Sequence, residues 1–226
     1  MGLIVEDMQL RQKRFVFRDR AESGMELVKR LEKYRGKDLA VLAIPSGGLP
    51  IAAEIAEGLG AVMDVIIVRK LHVPLNPEAG FGAMSMDGDA VLNNELVSDM
   101  ALTHGQIEKA KGDAMREGLS RERALRGVRP FPDLKGKVVI LVDDGLASGY
   151  TMLAAVRKVK QAHPASVVVA VPTGSDRSVE MVAREVDEVV CLNIRGMPFA
   201  VADAYRNWYD IDEEEAVRIM RYGNRP

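Results

Sequence analysis

Residues 138–152 read VVILVDDGLASGYTM, and this stretch decides how the chain is expected to fold. A run of apolar residues ends in two adjacent acids, Asp143 and Asp144, and a turn of small residues leads into a helix that carries Thr151. A short continuous apolar run is typical of a strand that is buried on both faces of a parallel sheet. The turn leaves backbone N–H groups free at the start of a helix, where they can bind a phosphate. The stretch therefore predicts an anion site at the carboxyl edge of a parallel sheet.

The same alternation of strand and helix extends in both directions along the chain. Strands are predicted at residues 39–44, 62–68, 137–142, 166–171 and 186–192. Helices are predicted at residues 20–34, 49–59, 150–162, 175–185 and 212–222, the last with Asp210 or Asp212 as its N-cap. Strands that alternate with helices indicate βαβ units, so we predict an α/β fold with a largely parallel sheet in one domain over residues 1–226.

Two segments interrupt that alternation. Residues 71–89 hold five Gly or Pro residues and are predicted to form a long loop, which in a compact domain is usually functional or disordered. Residues 104–129 are polar and predict a helix with much of its surface in solvent, supported by (i, i+4) pairs of Glu117 with Arg121 and of Glu122 with Arg126. This helical segment has seven basic and four acidic side chains, a net charge of +3, which suits a solvated face or a dimer contact and leaves RNA binding open.

Composition excludes several classes of protein. The chain has 226 residues, 47% of them hydrophobic, and 31 basic against 33 acidic side chains give a net charge of −2. This balance excludes bulk disorder and argues against a surface that binds nucleic acid throughout. We find neither a signal peptide at the start nor an apolar run long enough to span a membrane. With a single cysteine, Cys191, predicted to be a buried apolar residue, the expected location is the cytoplasm.

Spacing separates the 138–152 stretch from three better-known motifs. A Walker loop needs a Lys that is missing here, and the dinucleotide fingerprint G-x-G-x-x-G is absent from this turn. The serine of Gly145–Gly149 (GLASG) comes one position too late for a nucleophile elbow.

The stretch VVILVDDGLASGYTM instead resembles the phosphoribosyl-diphosphate (PRPP) signature of the type I phosphoribosyltransferases. Residues 44–50 (IPSGGLP) are similar to the pyrophosphate loop of that family, and Val68-Arg69-Lys70 resembles the basic strand end that opens its mobile catalytic loop. The resemblance implies the type I phosphoribosyltransferase fold, with a mobile loop at 71–89, a helical insert at 104–129 and a C-terminal hood and tail at 193–226. The arrangement is most similar to members of the family whose base is not known.

The resemblance also implies roles for individual residues. Asp143 and Asp144 would hold the ribose hydroxyls and make a weak contact to Mg²⁺, the implied cofactor, which PRPP itself would mostly hold. Arg69 and Lys70 would neutralise the departing pyrophosphate. The 5′-phosphate would be bound by Gly145, Leu146, Ala147, Ser148, Gly149 and Thr151. The pyrophosphate would be bound by Ser46, Gly47 and Gly48, and the base, more weakly, by Phe199 and Trp208.

The implied activity is Mg²⁺-dependent transfer of the phosphoribosyl group from PRPP to an undetermined nitrogenous base, with release of pyrophosphate. The implied partners are PRPP and a small-molecule acceptor, without nucleic acid or membrane, in a homodimer. A PRPP-sensing regulator that binds nucleic acid is the alternative, and hydrolysis of PRPP or pyrophosphorolysis of a nucleotide is a third. One departure from the family is Ser46, since many relatives have Arg or Lys in that loop, and it shifts the neutralising role to Arg69 and Lys70.

Overall fold

A six-stranded parallel sheet lies at the centre of the protein, and a three-stranded antiparallel sheet lies beside it, in a computed structural model that describes residues 1–74 and 76–223. The strands are β1 (Leu3–Val5), β2 (Leu39–Ala43), β3 (Val62–Val65), β4 (Val68–Val73), β5 (Asn76–Ser85), β6 (Ala90–Leu92), β7 (Val138–Val142), β8 (Ser166–Ser175) and β9 (Glu188–Arg195). The helices are α1 (Arg20–Leu31), α2 (Gly48–Leu59), α3 (Asn94–Asp99), α4 (His104–Arg126), α5 (Tyr150–Lys160), α6 (Asp176–Ala183) and α7 (Glu213–Tyr222). No described helix is both long and apolar enough to cross a membrane.

Apolar side chains on both faces of the central sheet explain its burial. Along β2, Val41 and Ala43 face the core beneath α1, α2 and α7, while Ala40 and Leu42 face the core beneath α5. Alternate residues of a strand point to opposite faces, so a strand covered by helices on both sides must be apolar throughout. The predicted α/β fold with a parallel sheet is confirmed.

The order of strands places two loops side by side. The central sheet runs β1-β9-β8-β7-β2-β3, with Ala43 of β2 opposite Val142 of β7. From β2 the chain crosses through α2 to β3 on one side, and from β7 it crosses through α5 to β8 on the other side. The strand order therefore reverses between β2 and β7, and the crevice at such a point is where open α/β sheets bind ligands.

The antiparallel sheet corrects two predictions. The predicted strand 62–68 ends at Val65, and the chain then starts β4 in the other sheet; Ile66 and Ile67 between them are buried, so their hydrophobicity reflects the core and not a strand. The predicted loop 71–89 contains the end of β4 and all of β5. A Cβ on Gly82 would lie 2.4 Å from the carbonyl oxygen of Val91, so this glycine permits a close approach of strands. Leu75, within the predicted loop, lies outside the described residues.

The helices predicted over residues 104–129 and 212–222 are confirmed, with differences at their ends. The helix predicted over 104–129 ends at Arg126, because Gly127 has a φ of 67° that favours glycine. The tail helix α7 is capped by Asp212, whose carboxylate accepts from the Glu215 amide at 2.7 Å. Residues 224–226, the last of the predicted tail, lie outside the described residues. The short elements β1, β6 and α3 were not predicted, since runs of three to six residues carry little periodicity.

Candidate functional site

The loops after β2 and β7 touch each other at the carboxyl edge of the central sheet. A Cβ on Gly47 would lie 2.0 Å from Oδ2 of Asp144, and a Cβ on Gly48 would lie 2.5 Å from the carbonyl oxygen of Val142. Both glycines are therefore needed for the close approach of the two loops. Gly47 is not needed for its backbone conformation, since a φ of −59° is open to any residue. The Gly48 amide already donates to the Ile44 carbonyl at 3.0 Å, which leaves Ser46 and Gly47 as the amide donors of the predicted pyrophosphate set.

The turn between β7 and α5 is held so that the helix N-terminus stays open. Leu146 is buried, its amide donates to the Thr173 carbonyl at 2.9 Å, and its carbonyl accepts from the Ser175 amide at 3.0 Å. Leu146 thus anchors the turn. Its backbone is not free to bind the 5′-phosphate, which differs from the prediction. Gly149 precedes the helix with a φ of 80° and provides no side-chain cap. The first amides of α5, including that of Thr151, point out of the helix end with the positive end of its dipole.

The two predicted acids lie together at the base of this crevice. Oδ1 of Asp143 accepts from the Asp144 amide at 2.8 Å. Burial first, and then the charge of Asp144, raise the pKa of Asp143 well above its usual range. Burial also raises the pKa of Asp144, and the guanidinium of Arg20 opposes that effect.

Arg20 is a site residue that sequence reasoning missed. Its Nε and Nη2 donate to Oδ2 of Asp144 at 3.1 and 3.0 Å, and its side chain is only 6% exposed. The one sequence signal is its place at the first position of α1, behind the N-cap Asp19, where the helix dipole disfavours a cation. A cation at that position is best explained by a partner elsewhere in the fold.

The C-terminal segment closes over Arg20 and Asp144. The Tyr205 hydroxyl donates to the Asp144 carbonyl at 2.7 Å, and the Tyr209 carbonyl accepts from Nη1 of Arg20 at 2.9 Å. The ring of Trp208 lies 3.9 Å from the guanidinium of Arg20 and is still 37% exposed. Trp208 therefore packs beside the predicted ribose site.

Phe199, the other residue predicted to bind the nucleobase, stacks on a different arginine, Arg195. Its ring centroid is 4.7 Å from the Arg195 guanidinium. Arg195 is 3% exposed and donates to the Ala200 carbonyl. Phe199 and Trp208 are thus each held by a cation–π contact, which is a packing role that does not require a base.

Arg69 and Lys70 do not face the same way, although both lie on β4. Opposite them on β5 are Met84 and Ala83 respectively. Met84 packs in the cluster beneath α4, whereas Ala83 packs with the core of the central sheet. Neighbouring residues of a strand alternate between faces, so Arg69 faces α4 and Lys70 faces away from it.

Helix α4 brings a further arginine to the loop after β2. Arg121 donates through Nη2 to Oγ of Ser46. The predicted pair of Glu117 with Arg121 is not formed, because Glu117 bonds Arg69 instead; the pair of Glu122 with Arg126 is confirmed. Nothing in the sequence distinguishes Arg121 from the other arginines of α4, since its contact joins residues 75 positions apart.

Magnesium can be tested against the donors that the site offers. The described residues contain no cluster of three or more His, Cys, Asp or Glu side chains able to hold a metal. Asp143 and Asp144 supply hard carboxylate oxygens, and a cation beside them would favour their ionised forms. The residues fit an ion held mainly by a phosphorylated ligand and water, with one or two carboxylates in support.

Most of the chain, including both loops of the site, matches the model of a known protein family. The family model described as the phosphoribosyl transferase domain matches residues 24–206, which include both loops and Asp143 and Asp144. The chain belongs to the phosphoribosyl transferase family. The matched region begins within α1 at Gly24 and ends at Arg206, so it takes in α4 and Tyr205 but leaves out Arg20 and Trp208.

Two curated relatives carry the name of this family, and one solved structure is similar to the chain over most of its length. Two proteins of Mycobacterium tuberculosis, strains CDC 1551 and H37Rv, each named "Putative phosphoribosyl transferase", are 39% identical over 211 residues, or 93% of this chain. The chain spans 47% of the length of these curated relatives. The crystal structure of TT1426 from Thermus thermophilus is 35% identical, with a TM-score of 0.74 over 90% of this chain and 97% of that one.

Proposed function

We propose that this protein transfers the phosphoribosyl group of PRPP to a nitrogenous acceptor and releases pyrophosphate. The observation that carries the proposal is the contact between Gly47 and Asp144, because it brings a pyrophosphate-type loop and a ribose-type acid pair to one crevice. An open helix N-terminus at α5 adds a phosphate site beside them. The three sites match the three parts of PRPP: the 5′-phosphate, the ribose and the diphosphate.

Each part of the crevice has one task in this reaction. The nitrogen lone pair of the acceptor forms a bond to the anomeric carbon, and the carbon–oxygen bond to pyrophosphate breaks with its electron pair on the leaving group. Any proton displaced from the acceptor nitrogen passes to solvent. Asp143 and Asp144 hold the ribose hydroxyls, and Ser46 and Gly47 donate amides to the diphosphate. The 5′-phosphate is held by the turn residues other than Leu146, together with Thr151: Gly145, Ala147, Ser148 and Gly149.

Charge on the leaving group needs cations. Mg²⁺, when bound, would neutralise part of the charge on the diphosphate oxygens, supported by the carboxylates of Asp143 and Asp144. Arg69 lies on the face of β4 that points to α4, where it lines a cavity together with Arg121, the arginine that bonds Ser46. Lys70 is exposed on the opposite face. It would reach the departing pyrophosphate only if residues 71–89, which follow it directly, took a different position. Movement of that segment would also exclude water from the reaction.

The acceptor would lie under the C-terminal segment. Trp208 stacks on Arg20 beside Asp144 and keeps part of its ring open, so we propose it, with Phe199, as the first candidate for contact with the base. We further propose a homodimer in the cytoplasm. The alternative of a PRPP-sensing regulator that binds nucleic acid gains nothing from the comparisons, whose relatives carry the name of a transferase.

Titration calorimetry with PRPP and Mg²⁺ tests the proposal. The double variant Asp143→Asn with Asp144→Asn should lose PRPP binding while its circular dichroism spectrum stays that of the wild type. The matched control is Asp38→Asn with Asp133→Asn, which removes the same charge from exposed positions before β2 and β7, at the opposite edge of the sheet. Unchanged PRPP affinity in the first variant would refute the ribose site.

A screen then identifies the acceptor. Purines, pyrimidines and other heterocycles are offered with PRPP and Mg²⁺, and pyrophosphate release is compared with a reaction that lacks an acceptor. Release that depends on one heterocycle supports transfer. Release at the same rate without any acceptor would favour hydrolysis of PRPP, and tight salt-sensitive binding of RNA or DNA would favour the regulator.

A further inference from the structure

The loop that should bind pyrophosphate carries no charge of its own. Ser46 is neutral, and the two residues that follow it are glycines. Backbone amides carry only partial charges, whereas a guanidinium adds a full positive charge and a planar set of N–H donors that fits phosphate oxygens. A cation from another part of the fold is therefore needed at this loop.

Arg121 reaches this loop from α4. Its Nη2 bonds the hydroxyl of Ser46, and its side chain is half-buried. Its Nε is buried and has no hydrogen-bond partner. Among the side chains that the structure describes, no carboxylate lies within ion-pair distance of Arg121; Glu213 acts on it only from farther away. The guanidinium thus keeps a charge and at least one N–H donor without a protein acceptor.

Arg69 stands beside it. Burial first, and then the charge of Arg69, lower the pKa of Arg121, so the two guanidiniums repel each other. They line one open cavity of about 420 Å³, together with Arg116, Glu117, Ser120 and Glu213. Glu117 bonds Arg69, and Arg116 pairs with Asp113, so of the described cations that line this cavity Arg121 is the one without a carboxylate partner. Two neighbouring guanidiniums that repel each other are stabilised by an anion between them.

We infer that Arg121 supplies, from helix α4, the positive charge of the pyrophosphate subsite that Ser46 does not provide, with Arg69 as its neighbour. The inference deepens the proposed function and rests on it. In this arrangement the helical insert is part of the site, since it carries the guanidinium to the loop after β2. The ligand that it recognises is the diphosphate group, both in PRPP and as free pyrophosphate.

Binding of two ligands separates this role from a structural one. Inorganic pyrophosphate and ribose 5-phosphate are each titrated into the wild type and into Arg121→Met, a change that keeps the aliphatic bulk of the side chain. Because a hydrogen bond to a charged group contributes about 1.5–3 kcal/mol, pyrophosphate affinity should fall on the order of 10- to 100-fold. Ribose 5-phosphate has no diphosphate group, so its affinity should stay the same. The control Arg123→Met removes an exposed arginine from the same helix and should leave both affinities unchanged.

Moving the charge provides the second test. The double variant Ser46→Arg with Arg121→Met returns a guanidinium to the loop itself and should recover most of the lost pyrophosphate affinity. No recovery would assign the loss to altered packing of α4 and overturn the inference. Unchanged pyrophosphate affinity in Arg121→Met, or an equal loss for ribose 5-phosphate, would also overturn it. A wild type that binds neither PRPP nor pyrophosphate would overturn the proposed function together with the inference, whereas a wild type that binds both isolates the result to Arg121.

Discussion

Gly47→Ala tests how closely the two loops of the site fit. The new Cβ would lie 2.0 Å from Oδ2 and 2.4 Å from Cγ of Asp144, where contacts below 3.0 Å force a shift. The carboxylate must therefore move by 3.0 − 2.0 = 1.0 Å or the loop must open by as much. The hydrogen bonds from Arg20 to Oδ2 are 3.0 and 3.1 Å long, so a movement of that size breaks them.

The magnitude follows from the burial of that ion pair. Arg20 is 6% exposed and the Asp144 side chain 16%, and breaking a buried pair costs about 3–5 kcal/mol, because a charge is left without its partner. We expect the free energy of unfolding to fall by about 3 kcal/mol. At about 2–4 °C per kcal/mol for a chain of this size, the melting temperature should fall by about 6–12 °C.

Thermal denaturation followed by circular dichroism measures the effect. The matched control is Gly105→Ala in the first turn of α4, where a Cβ meets nothing within 4 Å; this change should be neutral or stabilise the protein by up to about 1 kcal/mol. In an Asp144→Ala background most of the loss caused by Gly47→Ala should disappear, since the clashing carboxylate is gone. An unchanged melting temperature in Gly47→Ala, or an equal loss in both backgrounds, would refute the reasoning.

Three further outcomes are expected. Asp143→Asn should raise the melting temperature of the ligand-free protein at pH 7–8, because the pKa of Asp143 is raised in the folded state and ionisation there opposes folding. The gain should vanish near pH 4, about the pKa of Asp in an unfolded chain, and a gain independent of pH would contradict this. Arg20→Gln should lower the free energy of unfolding by about 3 kcal/mol and shift the fluorescence of the single tryptophan, Trp208, which stacks on that arginine; an unchanged emission spectrum would count against the stack. Burial raises the pKa of the Cys191 thiol, so Ellman's reagent at pH 8 should label it rapidly only after unfolding in urea, and full labelling of the native protein would exclude its burial.

Prediction from sequence was accurate where one local cause dominates. The apolar runs that became β7 and β8 are buried on both faces, so their hydrophobicity alone identifies them. The tail helix is fixed by an N-cap and an amphipathic pattern. The prediction was wrong for residues 62–68 and 71–89, because buried residues between two sheets look like a strand, and glycines that permit strands to approach look like a loop.

The site divides in the same way. Asp143, Asp144 and the turn that follows are contiguous, so their spacing by itself predicts a strand, an acid pair and an open helix end. The partners of those acids are remote. Arg20 is 124 residues from Asp144, and the hydroxyl of Tyr205 comes from 61 residues away. The only local signal for Arg20 is that a cation occupies the first position of α1, and no local pattern selects Tyr205 among the aromatic residues.

The sequence by itself determined the backbone path at the carboxyl ends of β2 and β7 and placed small residues and acids there. Only the tertiary structure decided which charges meet them: Arg20 at Asp144, and Arg121 at Ser46. The physical reason is that backbone conformation depends on neighbours along the chain, whereas ion pairs depend on which faces the core buries. Adjacent strands β2 and β7 join the two loops, and the packing of α1 and α4 against that edge delivers the two arginines.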